Sequence, residues 1–155
     1  MARLRVWPKA MNGFTGKNTG RVHLMHLTLG DDIIPCIEAE CQRLNLQTGI
    51  VMSGIGSLRK ATFHYTNANT EKPEDVFVTL DKTMEVVALQ GIILEGKPHL
   101  HVQLSANGSE CYGGHMEEGC EVQYLVELAI LEVADLPLGR RAGAYGTVTH
   151  FEWLK

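Results

Sequence analysis

The sequence of 155 residues lacks the features of a membrane-spanning or disulfide-stapled protein. It has no apolar run near the roughly 20 residues of a membrane helix, and its first residues lack the apolar core of a secretory signal. The four cysteines form no C-x-x-C pair, and a chain that is 45% hydrophobic can build a core without disulfides. We therefore expect one cytoplasmic domain with no membrane partner and with reduced thiols at Cys36, Cys41, Cys111 and Cys120.

Acidic residues are absent from the first 21 positions, although the chain carries 18 acids against 14 bases and a net charge of −4. This stretch is basic throughout, with Arg3, Arg5, Lys9, Lys17 and Arg21. Its Gly, Asn and Pro content predicts an extended basic strap over residues 1–20, followed by a domain over residues 21–155. Such a strap could lie along phosphate, or equally fold onto the acidic domain or onto a neighbouring subunit.

Residue spacing predicts one helix after a first strand. Residues 21–29 alternate between two faces that both carry apolar side chains, which predicts a strand covered in part on both sides. Helical spacing follows in "GDDIIPCIEAECQRLN", where Pro35 is tolerated because it falls near the first turn. One face of this helix forms an apolar stripe of Ile33, Ile34, Ile37, Cys41 and Leu44.

The rest of the chain consists of short β-rich runs separated by Gly, Asn and Asp. Residues 121–133 are rich in helix formers, but their strict alternation from Val122 to Ile130 favours a strand. The glycines of "SGIGS" (53–57) predict a tight turn, since the stretch lacks the lysine and spacing of a P-loop. The pattern predicts one α+β domain, a mostly antiparallel sheet with one main helix packed on it.

Three of the seven histidines, His99, His101 and His115, fall within 17 positions. On a strand, residues two apart project to the same face with Cα atoms roughly 6.6 to 7 Å apart, so the first two can bind one metal ion. Three imidazoles with an open fourth position are typical of sites that hold a water or a substrate oxygen. The same residues are also compatible with incidental polar positions on a small β-protein.

The third histidine depends on a predicted hairpin. Asn107-Gly108 is a strong turn signal that would return the chain antiparallel to the first strand. A two-residue turn sets Leu100 opposite His115 and so places His115 on the wrong face. A bulge at Gly113–Gly114 would restore the face.

Charged residues near these motifs have two interpretations each. Glu117 and Glu118 could orient a ligand or accept a proton, or could be solvated loop acids. Arg59 and Lys60 could contact an anionic substrate, or could be ordinary charges at a strand edge.

Two long segments, residues 27–63 and 89–122, closely resemble a domain shared by plants and prokaryotes that is abbreviated PPC and was formerly a domain of unknown function. The resemblance covers roughly residues 21–134. Its motifs occur in order: Gly30-Asp31 at the helix start, "SGIGSL", "PHLHVQL" and "GGHMEEG".

The resemblance implies a compact α+β domain that forms homotrimers. It also implies that a zinc ion is held by the H-x-H pair and the G-G-H histidine, here His99, His101 and His115. Plant members add an AT-hook for DNA, but "LGRRAGAY" lacks its R-G-R core. The fold is also similar to that of acetolactate decarboxylase, whose acid–base residues cannot be matched here.

Two functions therefore remain. The first is a homotrimeric zinc-binding protein with an open three-histidine site for a small oxygen-bearing or anionic ligand, as an enzyme or a sensor, with no reaction assigned. The alternative is a DNA-binding or DNA-associated assembly protein. Because the body of the chain is acidic, it should repel phosphate, which disfavours the alternative.

Overall fold

The computed structural model describes residues 13–70, 73–142 and 149–155. Within these ranges the chain forms one helix, a 6-stranded antiparallel sheet and a 2-stranded antiparallel ribbon, so the predicted α+β fold is confirmed. The elements are β1 (Thr19–Thr28), α1 (Ile33–Leu44), β2 (Thr48–Thr66), β3 (Asp75–Leu94), β4 (Lys97–Ala106), β5 (Glu110–Met116), β6 (Glu121–Val133), β7 (Leu138–Ala142) and β8 (Thr149–Trp153).

The sheet has the strand order β1-β6-β2-β3-β4-β5, and β5 pairs in addition with β2. The sheet therefore curls so that β5, its last strand, also pairs with one end of β2. Strands β2, β3, β4 and β5 thus form a ring, which is closed by the pairing of Phe63 with Met116 and of His64 with His115.

Helix α1 forms as its sequence predicts. Its inward stripe of Ile33, Ile37 and Cys41 is buried in the common core. Pro35 is its third residue, where a missing N–H costs no helical hydrogen bond. The helix ends at Asn45, whose left-handed conformation (φ 53°) lets its N–H donate to the carbonyl of Gln42.

The predicted tight turn at residues 53–57 is wrong, because these residues lie inside strand β2. Runs that the sequence pattern separates are joined into two strands of 19 and 20 residues. Register shifts against β6 bend β2 where the glycines occur. At Gly56 (φ 143°) a Cβ atom would lie 2.2 Å from the carbonyl oxygen of Leu125, so glycine here permits two backbones to approach.

Residues 121–133 form strand β6, as the alternation predicts, and their inward side chains lie in the core. The expectation that β1 is covered on both sides is wrong. Leu27 faces the core, but Val22 and Leu24 are 63% and 82% exposed. Strand β1 is an edge strand, and nothing among the described residues covers its outer face.

All four cysteines are free thiols, as predicted. Cys41 and Cys120 are buried, and burial raises the pKa of each thiol to about 11. They act as small apolar residues, since a thiol with such a pKa is inert at neutral pH.

The ribbon of β7 and β8 has no counterpart in the sequence predictions, because its strands are too short and too polar to show alternation. The Trp153 ring of the ribbon lies edge-on to Phe14 of the strap at 5.6 Å. Asp135, between β6 and β7, accepts a hydrogen bond from the Lys17 amide. Residues 1–12 of the strap lie outside the described residues, and the domain boundary at residue 20 stays a prediction. No helix among the described residues is long and apolar enough to span a bilayer.

Candidate metal centre

Adjacent strands bring His99, His101 and His115 together. His99 and His101 lie two residues apart on β4, and His115 on β5 is the direct cross-strand partner of His101. Each histidine offers one ring nitrogen, and these atoms lie within 4.8 Å of one another. Some point therefore lies at most about 2.8 Å from all three (4.8 Å divided by √3), and zinc–nitrogen bonds of about 2.0 to 2.1 Å fall within this upper limit.

The predicted pairing of His115 with Leu100 is wrong, since the hairpin places His115 opposite His101. Three residues, 107–109, connect β4 to β5 instead of two. The additional residue shifts the register by one, and a shift of one moves a side chain to the other face of a strand.

The Asn-Gly turn itself is confirmed. Asn107 and Gly108 both have positive φ, at 51° and 73°, and the Ser109 amide donates to the carbonyl of Ala106. Ser109 then stays outside the strand ladder and supplies the extra residue. The sequence pattern identifies the turn but not this unpaired position.

The predicted bulge at Gly113–Gly114 is wrong, because β4 and β5 pair without a register shift. These glycines instead let β5 fit between its two neighbours. A Cβ atom at Gly113 would lie 2.4 Å from the Val102 carbonyl oxygen, and one at Gly114 would lie 2.4 Å from that of His64. A side chain at either position would push β5 away and separate the histidines.

His64 on β2 is a fourth histidine at this site, which the sequence predictions missed. It is the cross-strand partner of His115, and the two rings stack at 4.3 Å. Its Nδ1 lies 2.6 Å from Glu117 Oε1, and ligand atoms of His64, His115 and Glu117 also lie within 4.8 Å of one another. No hairpin links β2 to β5, so no local signal indicated the pairing.

Of the charged residues near the histidine motifs, one lies in the site and three do not. Glu117 lies in the histidine cluster, whereas Glu118 is an exposed loop acid. Arg59 and Lys60 form ion pairs with Glu121, at 3.3 and 3.6 Å.

A cavity of about 710 Å³ opens beside His99 and His101. Its other polar groups come from Arg140, Gln90 and Thr149. Its apolar walls come from Ile50, Val51, Met52, Ile92 and Phe151. This volume and this mixture of many apolar and few polar groups are typical of small-molecule sites.

Two of the imidazoles, those of His99 and His115, are held in the neutral form. Burial lowers the pKa of His99 to about 4, and nearby positive charge on His115 and Arg140 adds to the effect. Burial, and then charge on His64, also lowers the pKa of His115. Neutral imidazole is the form that binds a metal ion, and nitrogen donors of this kind suit zinc, copper, nickel and iron. The residues present therefore fit a divalent transition metal.

We expect the His99 ring of metal-free protein to titrate near pH 4, which NMR of the ring protons against pH would show. Because the folded-state pKa is below the ordinary 6.5, the unfolded state takes up the proton first. Metal-free protein should therefore lose stability as pH falls from about 6.5 towards 4.

The variant His115→Gln removes one of the charges that lower this pKa. The His99 pKa should then rise only part of the way towards its ordinary value, since burial is the larger cause. A His99 midpoint near 6.5 in the unmodified protein would show that the ring is solvated and the site open.

Comparison with known proteins gives consistent results. Residues 14–134 match the family described as the Plants and Prokaryotes Conserved (PCC) domain. The bifunctional protein GlmU of Synechococcus strain JA-3-3Ab is 27% identical over 121 residues, which are 78% of this chain. The chain spans only 18% of that protein's length.

Solved structures share the fold. A plant- and prokaryote-conserved protein of Pyrococcus horikoshii is 26% identical with a TM-score of 0.77, covering 92% of this chain and 99% of that one. A metal-containing protein of Archaeoglobus fulgidus is 23% identical with a TM-score of 0.78, covering 94% and 100%. A candidate DNA-binding protein of Bacteroides thetaiotaomicron is 18% identical with a TM-score of 0.71, covering 92% and 99%.

The family match covers more than three quarters of the chain and includes β1 to β6 with all four clustered histidines. The motifs that suggested the resemblance lie within it. This chain belongs to the Plants and Prokaryotes Conserved domain family.

Proposed function

We propose that this protein is a homotrimer that binds one zinc or similar divalent ion per chain on His99, His101 and His115. The observation that carries the proposal is the convergence of three ring nitrogens within 4.8 Å of one another, from two adjacent strands of a closed ring. The similarity in fold to a metal-containing protein supports it.

The donor set also suggests what the site is for. Structural zinc is usually closed by four protein ligands, often cysteines, whereas three histidines leave a position for a small ligand. A zinc ion in such a site supplies Lewis acidity towards a bound oxygen atom. The cavity beside His99 and His101 admits that ligand, which we propose to be a small oxygen-bearing or anionic molecule.

Residues around the donors restrict the movement of the rings. His64 stacks on His115 and is itself held by Glu117, so one donor ring is packed between strands and an anchored neighbour. Because the rings are already in place in the folded chain, metal binding needs little rearrangement.

Protein loaded with zinc and dialysed should contain one zinc ion per chain by elemental analysis. Each of His99→Asn, His101→Asn and His115→Asn removes one of three donors, so each should weaken binding by more than the roughly 10- to 100-fold that loss of an outer-shell partner costs. The matched control is His26→Asn, since His26 lies on β1 and faces Glu127. Stoichiometric zinc that survives all three substitutions, or its absence from the unmodified protein, would refute the proposal.

The proposed trimer is supported by exposed apolar side chains on strands β1, β2 and β6. Val22 and Leu24 on β1, Met52 and Ile55 on β2, and Tyr124 on β6 are each more than half exposed. Exposed apolar patches of this kind mark interaction surfaces, because burying them between subunits removes apolar area from water.

Light scattering at micromolar concentration should give three times the chain mass of 17.1 kDa. Leu24→Glu should lower this mass without unfolding the chain, because the side chain is 82% exposed. Ser109→Glu, in the hairpin turn, is the control that adds the same charge elsewhere. A mass of one chain for the unmodified protein would exclude the trimer.

Association with DNA is the second candidate, supported by candidate DNA-binding proteins of the same fold and by the basic strap. Directly after the strap, however, Arg21 is paired with Glu132 at 2.9 Å and is not free to bind phosphate. Bases at positions 3, 5 and 9 would then supply the affinity, without the hook that plant members use.

A gel-shift assay with duplex DNA tests this candidate. We expect weak binding at low salt that falls steeply as salt rises and is lost when Arg3, Arg5 and Lys9 are all replaced by Gln. Sequence-selective binding that persists at physiological salt would instead make DNA binding the better assignment.

A further inference from the structure

Arg140 is a half-buried cation on the wall of the cavity that also contains His99 and His101. Its Nη2 donates to the carbonyl of Ile92 at 2.9 Å, and its Nη1 donates to that of Lys97 at 3.3 Å. Neither partner is charged. By contrast, the next residue, Arg141, forms ion pairs with Glu95 and Glu152.

Arg140 carries a half-buried positive charge that lacks an ionic partner among the described residues. Within residues 13–70, 73–142 and 149–155, no carboxylate forms an ion pair with it, and burial lowers its pKa. Its positive charge is close enough to lower the pKa of His99. A divalent metal on the histidines would add a second positive centre to the wall of this cavity, and the two like charges would repel each other.

Arg140 also keeps donors available. A guanidinium has five N–H groups in a planar fork, and the two described hydrogen bonds leave three of them. Two carbonyl bonds hold the group in place, while the remaining donors can make the paired hydrogen bonds that a carboxylate accepts.

The walls of the cavity indicate the rest of the ligand. Ile50, Met52, Ile92 and Phe151 form an apolar surface, and the Phe151 ring centroid lies 5.9 Å from the Arg140 guanidinium carbon. A ligand that packs against this apolar surface needs an apolar body in addition to its anionic group.

We propose that Arg140 is the anion-binding residue of this cavity and that it binds the carboxylate of a small organic acid with an apolar body, whose other end faces His99 and His101. The contact with the metal rests on the proposed function, whereas the contact with Arg140 does not. A carboxylate is favoured over a phosphate ester because a single guanidinium neutralises one negative charge.

Calorimetric titration with benzoate tests the proposal, using zinc-loaded and chelator-treated full-length protein in parallel. Benzoate should bind the unmodified protein, and Arg140→Gln should weaken it by at least about 10-fold, the cost of losing a hydrogen-bonded charge. Arg141→Gln makes the same charge change outside the cavity and should bind benzoate as the unmodified protein does.

Two further arms separate the alternatives. Phenyl phosphate should bind more weakly than benzoate. If it binds more tightly, the proposed carboxylate ligand is wrong and the cavity binds a phosphate ester. Benzyl alcohol has the same apolar body without charge, and equal binding of it would overturn an anion site.

A second variant guards against a misfolded Arg140→Gln protein, because Arg140 helps to attach β7. Thr149→Glu leaves the bonds of Arg140 in place and adds a competing carboxylate to the cavity wall, so it should also reduce benzoate affinity. Benzoate binding unchanged in Arg140→Gln, or absent from the unmodified protein at millimolar concentration, would overturn the proposal.

Failure of the metal proposal has a different signature. If the chain binds no zinc, the benzoate titrations of zinc-treated and chelator-treated protein coincide, and the effect of Arg140→Gln still decides the role of the guanidinium. If zinc binds but Arg140→Gln has no effect, the anion proposal fails alone.

Discussion

The geometry of the site depends on the close approach of three backbones around strand β5. Gly113 has the carbonyl of Val102 against it on one side, and Gly114 has that of His64 on the other. Only residues without a Cβ fit both contacts, so these two positions let the sheet close. Closure aligns His64, His115 and His101 across three neighbouring strands.

The charge state of these histidines suits the binding of a metal ion. Burial and mutual repulsion keep His99 and His115 unprotonated, which suits them to a metal ion. Two carboxylates among the described residues, Glu117 and Asp75, lie beside the cluster and both face His64, at 2.6 and 3.8 Å. The cavity thus gathers donors for a cation on one wall and a guanidinium on another, and a bridging organic anion would satisfy both.

The sequence allowed much of this arrangement to be predicted, and the errors have specific causes. Alternation and helical spacing identify local elements reliably, so α1, β6 and the two strands that carry His99, His101 and His115 were predicted correctly. The exact register of the hairpin was not, because one unpaired residue, Ser109, leaves no mark on a hydrophobic pattern.

Contacts between distant segments were missed for a more general reason. His64 reaches the cluster through the pairing of β2 with β5, and Arg140 reaches the cavity through a short polar ribbon. Neither pairing is signalled by turn residues or periodicity. In the same way, Gly54 and Gly56 suggest a turn in the sequence, although in the structure they allow neighbouring strands to approach β2 closely.

The ribbon that carries Arg140 lies beyond residue 134, where the family match ends. The imidazoles therefore come from the part of the chain that defines the family, and the guanidinium comes from a part that does not. The proposed anion contact and the proposed metal donors therefore lie on separate segments of the chain, so a substitution in the ribbon leaves the three histidine donors in place.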